Sequence, residues 1–402
     1  MKRKLSKIIG FFYVLLVWIT KSKKKITNGK SLIIITGNLG DALLSIEAVM
    51  ALKNYYLNRQ KSVAIVTSKT LWDFLLKIED LNGIEYIDIS FPYASNGTSF
   101  HKAREVVRQI KKYAFEEIVV TWANSPIAKY LVAAIPHNRS WGVFDDINRN
   151  SLLPKFFFER VFTNKILVPI DMQEMRRYRI MLEQIGVKDY KIRIHKIPEQ
   201  ICEMPSLPEN RYITIALDSM TTERRWPTDN YKETINALLD KYDFDICCTG
   251  GAVAKPVYEE CVQELSKEKR ERVHSYVSKT SLQQWIELIR GAMFHIGVDS
   301  GSVHVAASVG TCAFCLVGVW DGQRVFPYDV DEKRTGTEIP IPVYRRDVNP
   351  FKLSCYGCLS IRGHRGLGNK ECYRGCQAGE PALCLKMLLA KDVVNAIERY
   401  TK

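Results

Sequence analysis

An apolar run, Phe294 to Val298, breaks on Asp299-Ser300-Gly301, gives way to a short helical pattern through Val303, Ala306 and Ala307, and returns as a second apolar run from Ala313 to Val319. Read by periodicity, this is strand, tight turn, helix, strand. A chain built of such units folds as a parallel α/β sheet, and in such sheets the ligand crevice lies at the carboxyl ends of the strands. A helix that opens there points unsatisfied N–H groups and a partial positive charge at whatever occupies the crevice. Gly301 lets a ligand approach the backbone, Asp299 can accept hydrogen bonds from hydroxyls, and His304 falls one turn into the helix. A phosphate and a sugar both suit such a place; an Asx turn that only caps a core helix is the plainer alternative.

The same alternation runs through most of the chain. In the first half, a β-branched run from Leu32 to Thr36 turns through Gly37-Asn38-Leu39-Gly40-Asp41 into a helix whose inner side carries Leu43, Leu44, Ile46, Val49, Met50 and Leu52. Strand Val63 to Thr67, helix Leu71 to Ile78, strand Tyr86 to Ile89, a helix from about Lys102 and strand Ile118 to Thr121 follow. Between Asn150 and Glu209 the periodicity weakens and five prolines intervene, although Gln173 to Ile185 keeps a helical pattern. The alternation then restarts with strand Tyr212 to Leu217, helix Tyr231 to Leu239, strand Phe244 to Cys248, helix Val257 to Leu265, strand Arg272 to Tyr276 and helix Leu282 to Ile289. With 402 residues, 46% of them hydrophobic and 25% charged, the chain has material for two cores. The expected division is a tail over 1–30, a Rossmann-like domain over 31–170, a linker region over 171–208, a second Rossmann-like domain over 209–345, and a cysteine-rich segment with a closing helix, Val393 to Tyr400, over 346–402.

The net charge of +14 is concentrated at one end: the first thirty residues hold nine Lys or Arg and no acid. Between those flanks lies IIGFFYVLLVWI, Ile8 to Ile19. As a helix these residues reach about 18 Å, short of the roughly 30 Å hydrocarbon core. No small-residue cleavage site follows, only Thr20-Lys21-Ser22-Lys23-Lys24-Lys25. An interfacial anchor, aromatic side chains at headgroup depth and lysines on anionic lipid, is the expectation, against a buried core helix. Nucleic acid is not an expected partner, because no aromatic interleaving accompanies the charge. Of eleven cysteines, Cys202, Cys247, Cys248, Cys261, Cys312 and Cys315 sit among apolar neighbours and read as core thiols. Cys355-x-x-Cys358 and Cys372-x-x-x-Cys376 are spaced as zinc ligands are, with Cys384 beyond; a structural zinc and free or paired thiols both remain open.

Three stretches in order carry a resemblance. Asp299, Ser300, Gly301, His304, Ala306, Ala307 and Gly310 fit D-[ST]-G-x-x-H-x-A-A-x-x-G; GNLGDALLSIEAVMALK has Gly40 and Asp41 in the register of G-D-x-x-x-x-x-P-x-x-x-x-L-[KR], with Glu47 at the usual proline; and SMTTERRWPTDNY ends a phosphate loop in a basic residue, a spacer and Trp-Pro. Together they resemble glycosyltransferase family 9, the bacterial ADP-heptose:lipopolysaccharide heptosyltransferases. The resemblance implies the GT-B architecture, two Rossmann-like doubly wound domains facing a central cleft.

It also implies roles. Asp41 stands where the family places its catalytic base, at a helix N-terminus that favours a carboxylate; capping alone is the alternative. Arg224, two residues before Trp226-Pro227, stands where the family keeps a basic residue on the nucleotide phosphates, and guanidinium can hold a diphosphate bidentately. Ser219 matches a hydroxyl of the phosphate loop, whereas Met220 departs from one. Arg225 reads as a solvated charge. Gly250 and Gly251 follow a strand and should come close to the nucleotide. The acidic residue that the family often carries shortly afterwards for the ribose is missing from Val253-Ala254-Lys255-Pro256. Asp299, Ser300, Gly301 and His304 complete the donor-binding set, and Asp321 with Pro327-Tyr328 resembles the family's loop that lines the cleft. No D-x-D ends a strand, so no catalytic magnesium is expected and no cofactor is required. The expected activity is inverting transfer of a sugar, heptose from ADP-heptose favoured, onto a lipid-linked saccharide such as the lipopolysaccharide inner core. The expected place is cytoplasmic, peripheral at the inner face of the inner membrane on anionic lipid. Another nucleotide-sugar donor, and a non-catalytic zinc-bearing membrane-associated interaction protein, are the alternatives.

Overall fold

The computed structural model describes all residues except 1, 23, 89–99, 124, 146–159, 170–171, 200, 204–205, 319–321, 334–336, 345–379 and 402. The chain divides into two compact units, the first made of Met1–Ile170 and Met175–Ile192, the second of Asp171–Glu174 and Arg193–Lys402.

The first unit contains, in order, α1 (Lys2–Thr20), β1 (Lys30–Ile34), α2 (Leu39–Leu57), β2 (Ser62–Thr67), α3 (Lys69–Ile78), β3 (Glu85–Asp88), α4 (Phe100–Ile110), β4 (Phe115–Val120), α5 (Pro126–Ala134), β5 (His137–Asp145), β6 (Asn164–Val168) and α6 (Glu174–Ile185), whose first residue groups with the second unit. Its six strands are all parallel, in the order β3-β2-β1-β4-β5-β6. The order reverses between β1 and β4, which makes their carboxyl ends the topological switch point. Helix α6, expected within a linker, is held in this unit by Arg177, whose guanidinium is buried against Asp145 at 2.6 Å and donates to the Pro169 carbonyl at 3.0 Å.

The expected tail is not separate from this unit. Helix α1 packs on α4 and α5, with Val14 fully buried in the core beside Tyr13, Val17 and Trp18. Tyr13 meets Phe100 edge to face at 5.4 Å. The Lys21 amine donates to the Val132 carbonyl at 3.3 Å, and burial pulls its pKa down to about 8. The opposite face leaves Ile8, Ile9, Phe12, Leu16 and Ile19 exposed, positions that share one side of a helix. Helix α1 therefore has one side in the core of this unit, as the core-helix reading of Ile8 to Ile19 expects, and one apolar side exposed. Among the described residues no helix is long and apolar enough to cross a membrane.

The second unit runs β7 (Tyr212–Ala216), a 3-10 turn (Thr222–Arg224), α7 (Thr228–Lys241), β8 (Asp245–Thr249), α8 (Ala254–Gln263), α9 (Lys267–Glu271), β9 (Val273–Ser275), α10 (Leu282–Arg290), β10 (His295–Val298), α11 (Gly301–Val309), β11 (Ala313–Leu316), α12 (Gly322–Val325), β12 (Ile341–Val343), α13 (Leu383–Lys386) and α14 (Ala390–Thr401). The six strands are again parallel, ordered β12-β11-β10-β7-β8-β9, with the switch point between β7 and β10. β7, β8, β10 and β11 are buried along their whole length, which is why they read as continuous apolar runs. Helix α14 buries Val393 and Ile397 in this unit's own core, and Tyr400 meets Phe314 edge to face. The cysteines Cys247, Cys248, Cys261, Cys312 and Cys315 are buried thiols, and burial raises the pKa of Cys261 to about 12.

Candidate functional site

In the second unit the sequence-predicted donor residues gather at the carboxyl ends of β7, β8 and β10. Helix α11 opens at Gly301 with Ser300 in extended backbone as its N-cap, and the Ser300 side chain makes no capping bond. Its hydroxyl pairs instead with that of Ser302 at 3.1 Å. Ser300 thus does not cap this nine-residue helix with its side chain, and a helix start of this kind favours an anion. Gly310 closes the helix with φ +83°, a conformation that glycine adopts without strain.

Arg224, on the 3-10 turn after β7, reaches the same place. Its Nη1 donates to the Asp299 carbonyl at 3.3 Å and lies 4.0 Å from the Asp299 carboxylate. Asp299 is buried apart from a small part of its carboxylate, so the guanidinium compensates its charge while three quarters of its own side chain stays covered. Ser219 is buried; its Oγ accepts from the Thr221 N–H at 3.4 Å. Met220 is almost fully exposed, at 94%.

Arg225 corrects the expectation of a solvated charge: it is half-buried, and its Nε donates to the Ser219 carbonyl at 3.0 Å, bracing the loop. Trp226 anchors that loop from below. Its indole N–H donates to the Leu388 carbonyl at 2.8 Å, a carbonyl that also accepts from Asn230 Nδ2 at 3.0 Å. Its ring meets Tyr231 edge to face at 4.9 Å. The Ala382 N–H donates to the Glu223 carbonyl at 3.0 Å, so the segment around α13 holds the Thr222–Arg224 turn in place.

His304 is buried beneath the turn, its ring stacked on Phe326 and Tyr328 at 5.4 and 5.9 Å. Nδ1 and the Tyr328 hydroxyl share a hydrogen bond at 2.5 Å. Burial, reinforced by the charge of Arg224, lowers the His304 pKa to about 3, so the imidazole is neutral at physiological pH. It fastens residues 326–328 to α11. Asp321, of the same expected loop, lies outside the described residues, as do Cys355, Cys358, Cys372 and Cys376. Among the described residues no group of three His, Cys, Asp or Glu side chains is placed to hold a metal.

Sequence reasoning missed Asp218. This half-exposed residue directly follows Leu217 at the end of β7, and its Oδ2 accepts from the Gly251 N–H at 2.8 Å. Gly250 has φ +150° and no room for a side chain, since a Cβ there would lie 2.5 Å from Ala254 Cβ and 3.1 Å from the Asp218 carboxyl. The only hint in the sequence was an acid at a strand end. Its partner lies thirty-three positions away.

In the first unit, Asp41 sits at the switch point between β1 and β4. The loops after these strands are tied where the Thr121 N–H and hydroxyl both donate to the Ile34 carbonyl, at 3.1 and 3.3 Å. Asp41 is at the third helical position of α2, and its Oδ2 accepts from the Asn38 N–H at 2.8 Å within a capping box. The capping role considered from the sequence is therefore present. Gly37 is required beneath it, because a Cβ at Gly37 would fall 2.2 Å from Asp41 Cβ.

Two parallel Rossmann-like sheets, each with its sequence motifs at a switch point, define the GT-B class of fold. The fold is shared with the structure of E. coli heptosyltransferase WaaC with ADP, at TM-score 0.58 and 14% identity over 92% of this chain and 99% of that one. It is shared also with the iron-containing dodecameric glycosyltransferase TibC of enterotoxigenic E. coli, at TM-score 0.53 and 15% identity over 95% of this chain and 79% of that one. Residues 171–347 match the sequence model of glycosyltransferase family 9 (heptosyltransferase). Lipooligosaccharide heptosyltransferase 2 of Haemophilus influenzae is 32% identical over 104 residues, a stretch that spans 26% of this chain and 30% of that protein.

Proposed function

We propose that the chain transfers a sugar, heptose from ADP-heptose, onto a lipid-linked saccharide such as the lipopolysaccharide inner core, with inversion and without a catalytic metal. The observation that carries this reading is Arg224 held against Asp299 at the N-terminus of α11: a fixed positive charge and a helix start beside a carboxylate. A departing nucleoside diphosphate gains negative charge as the glycosidic bond breaks, and preorganised donors stabilise that charge without reorganisation. Asp299 then orients sugar hydroxyls as an acceptor, with Ser219 and Ser300 lending hydroxyls to the phosphates and Gly301 admitting the ligand to the backbone. His304 acts behind them by holding Tyr328. Asp41, in the first unit, takes the proton of the acceptor hydroxyl as general base. The family domain, the name of the Haemophilus influenzae relative and the ADP in the WaaC structure support the choice of heptose and adenine nucleotide.

The exposed stripe Ile8, Ile9, Phe12, Leu16 and Ile19, with basic residues before and after it, suits an interfacial helix on an anionic cytoplasmic leaflet, where a lipid-linked acceptor is found. The test is a thermal-shift screen across nucleoside diphosphates and nucleotide sugars, followed by assay of ADP release with acceptor present. A true ligand at a hundredfold excess over its dissociation constant stabilises by about 2.7 kcal/mol. A shift with a different nucleotide sugar alone moves the donor assignment. Binding of ADP-heptose without turnover on any lipid-linked acceptor defeats the transferase reading.

A further inference from the structure

We propose that Asp218 is the residue that reads the ribose hydroxyls of the donor, and that it sets the direction in which the nucleotide lies across the second sheet. The inference rests on the nucleotide-donor reading above. Both oxygens of the Asp218 carboxylate face the Gly250-Gly251 turn: Oδ2 accepts from the Gly251 N–H at 2.8 Å, and a Cβ on Gly250 would lie 3.1 Å from Oδ1. The turn leads into the ten-residue helix α8. Such a turn usually offers its N–H groups to phosphate. Here the chain's own carboxylate has taken one of them, and its negative charge repels a phosphate placed beside it. A carboxylate has about four lone-pair sites, so with one N–H satisfied it remains a strong acceptor for hydroxyls. The turn is therefore suited to a vicinal diol and hostile to an anion.

The sheet order gives this a direction. β8, β7 and β10 are adjacent, in that sequence. Neighbouring strands are about 4.8 Å apart, so the ends of β8 and β10 are separated by roughly 10 Å. Arg224 and the α11 N-terminus supply positive charge at the β10 end, and Asp218 supplies a carboxylate at the boundary of β7 and β8. Ribose at the β8 turn, diphosphate across β7 and sugar at Asp299 is the order of groups in a nucleotide sugar. Val253, Ala254, Lys255 and Pro256 offer no carboxylate to the ribose. Asp218 supplies it from the neighbouring strand instead. Asp218 thereby makes the donor's 2′- and 3′-hydroxyls a requirement for tight binding, whatever the base.

The experiment is isothermal titration of the full chain with ADP, UDP, their 2′-deoxy and 3′-deoxy counterparts, and inorganic pyrophosphate. A hydrogen bond from a hydroxyl to a charged acceptor predicts a tenfold or greater loss of affinity for at least one deoxy form of whichever nucleotide binds. Asp218→Asn keeps an oxygen for the Gly251 N–H, so the turn should survive. The variant should lose most of the ribo-over-deoxy preference, while pyrophosphate binds as well as before or better. Ribo and both deoxy forms within twofold of each other on the wild-type protein overturn the inference, and so does an Asp218→Asn protein that discriminates as well as wild type. No binding of either ribonucleotide is a different failure: it removes the nucleotide-donor reading, and the inference with it.

Discussion

Helix α1 presents two apolar faces with opposite fates, so paired substitutions on it should separate stability from membrane binding. Val14 is fully buried in the first unit's core, whereas Phe12 and Leu16 are 59% and 58% exposed. Val14→Ala removes two methyl-sized groups from packed surroundings, worth about 1.6 kcal/mol in transfer alone and about 2–3 kcal/mol with the cavity. Phe12→Ala removes an aromatic side chain with a little over half of its surface still available to lipid. From about 1.5–3 kcal/mol for full burial, its exposed part is worth roughly 1–2 kcal/mol, or a five- to thirtyfold change in partitioning. Leu16→Ala should act similarly, and the double variant should compound the two. The assay is urea denaturation followed by tryptophan fluorescence, beside co-sedimentation with vesicles containing anionic lipid at two salt concentrations. The expected pattern is a lower urea midpoint for Val14→Ala with unchanged vesicle binding of the folded protein, and the reverse for Phe12→Ala with Leu16→Ala. If the double variant binds vesicles as well as wild type does, the exposed face has another role. If it lowers the urea midpoint as much as Val14→Ala, α1 is not seated as described.

Asp41 and Arg224, proposed as base and phosphate clamp, should fail differently. Asp41→Asn preserves an oxygen for the Asn38 N–H but no proton acceptor, so turnover should fall by roughly 10²- to 10⁴-fold with donor affinity within a few fold of wild type. Near-normal turnover would leave Asp41 as a cap alone. Arg224→Ala should cost both donor affinity and turnover, together about 3 kcal/mol or more of transition-state stabilisation, measured by titration of ADP beside steady-state rates. Acid should weaken the second unit. His295 and His304 are held neutral by burial, with pKa values lowered to about 3, while in the unfolded chain each takes up a proton near pH 6.5. Their contribution to stability is full above pH 6.5 and is lost as pH falls toward 3, with a slope approaching about 1.4 kcal/mol per pH unit for each. Urea midpoints between pH 7 and 4.5 measure this, and His304→Gln should flatten the curve by close to one proton. If Cys355, Cys358, Cys372 and Cys376 are zinc ligands, metal analysis of protein purified without chelator gives about one zinc per chain, reduced by Cys355→Ser; less than about a tenth of an equivalent rules out the structural site.

The sequence by itself determined the doubly parallel architecture of the second unit and where its motifs would stand. β7, β8, β10 and β11 are buried on both faces, and a strand without a wet side has no polar alternation, which leaves a mainly apolar run to read. The glycine turns after β1, β8 and β10 were legible for a similar local reason: close backbone approach tolerates no side chain, as at Gly37 and Gly250. β5 and β6 escaped notice because β5 is buried only at alternate positions along its second half and β6 only at its last residue, so HNRSWGVFD and NKILV present no run. What only the tertiary structure decided are relations between residues far apart in the chain. Whether α1 is tail or core depends on α4 and α5 lying beneath it. Arg225 becomes a brace only because the loop folds back to bring the Ser219 carbonyl to it, and His304 becomes a core imidazole only when Tyr328 closes over it. Asp218 meets Gly251 because β7 and β8 pair side by side. Periodicity and propensity report on neighbours within a turn or a strand. A carboxylate's partner thirty-three positions away is set by strand order and register, which emerge when the whole sheet forms.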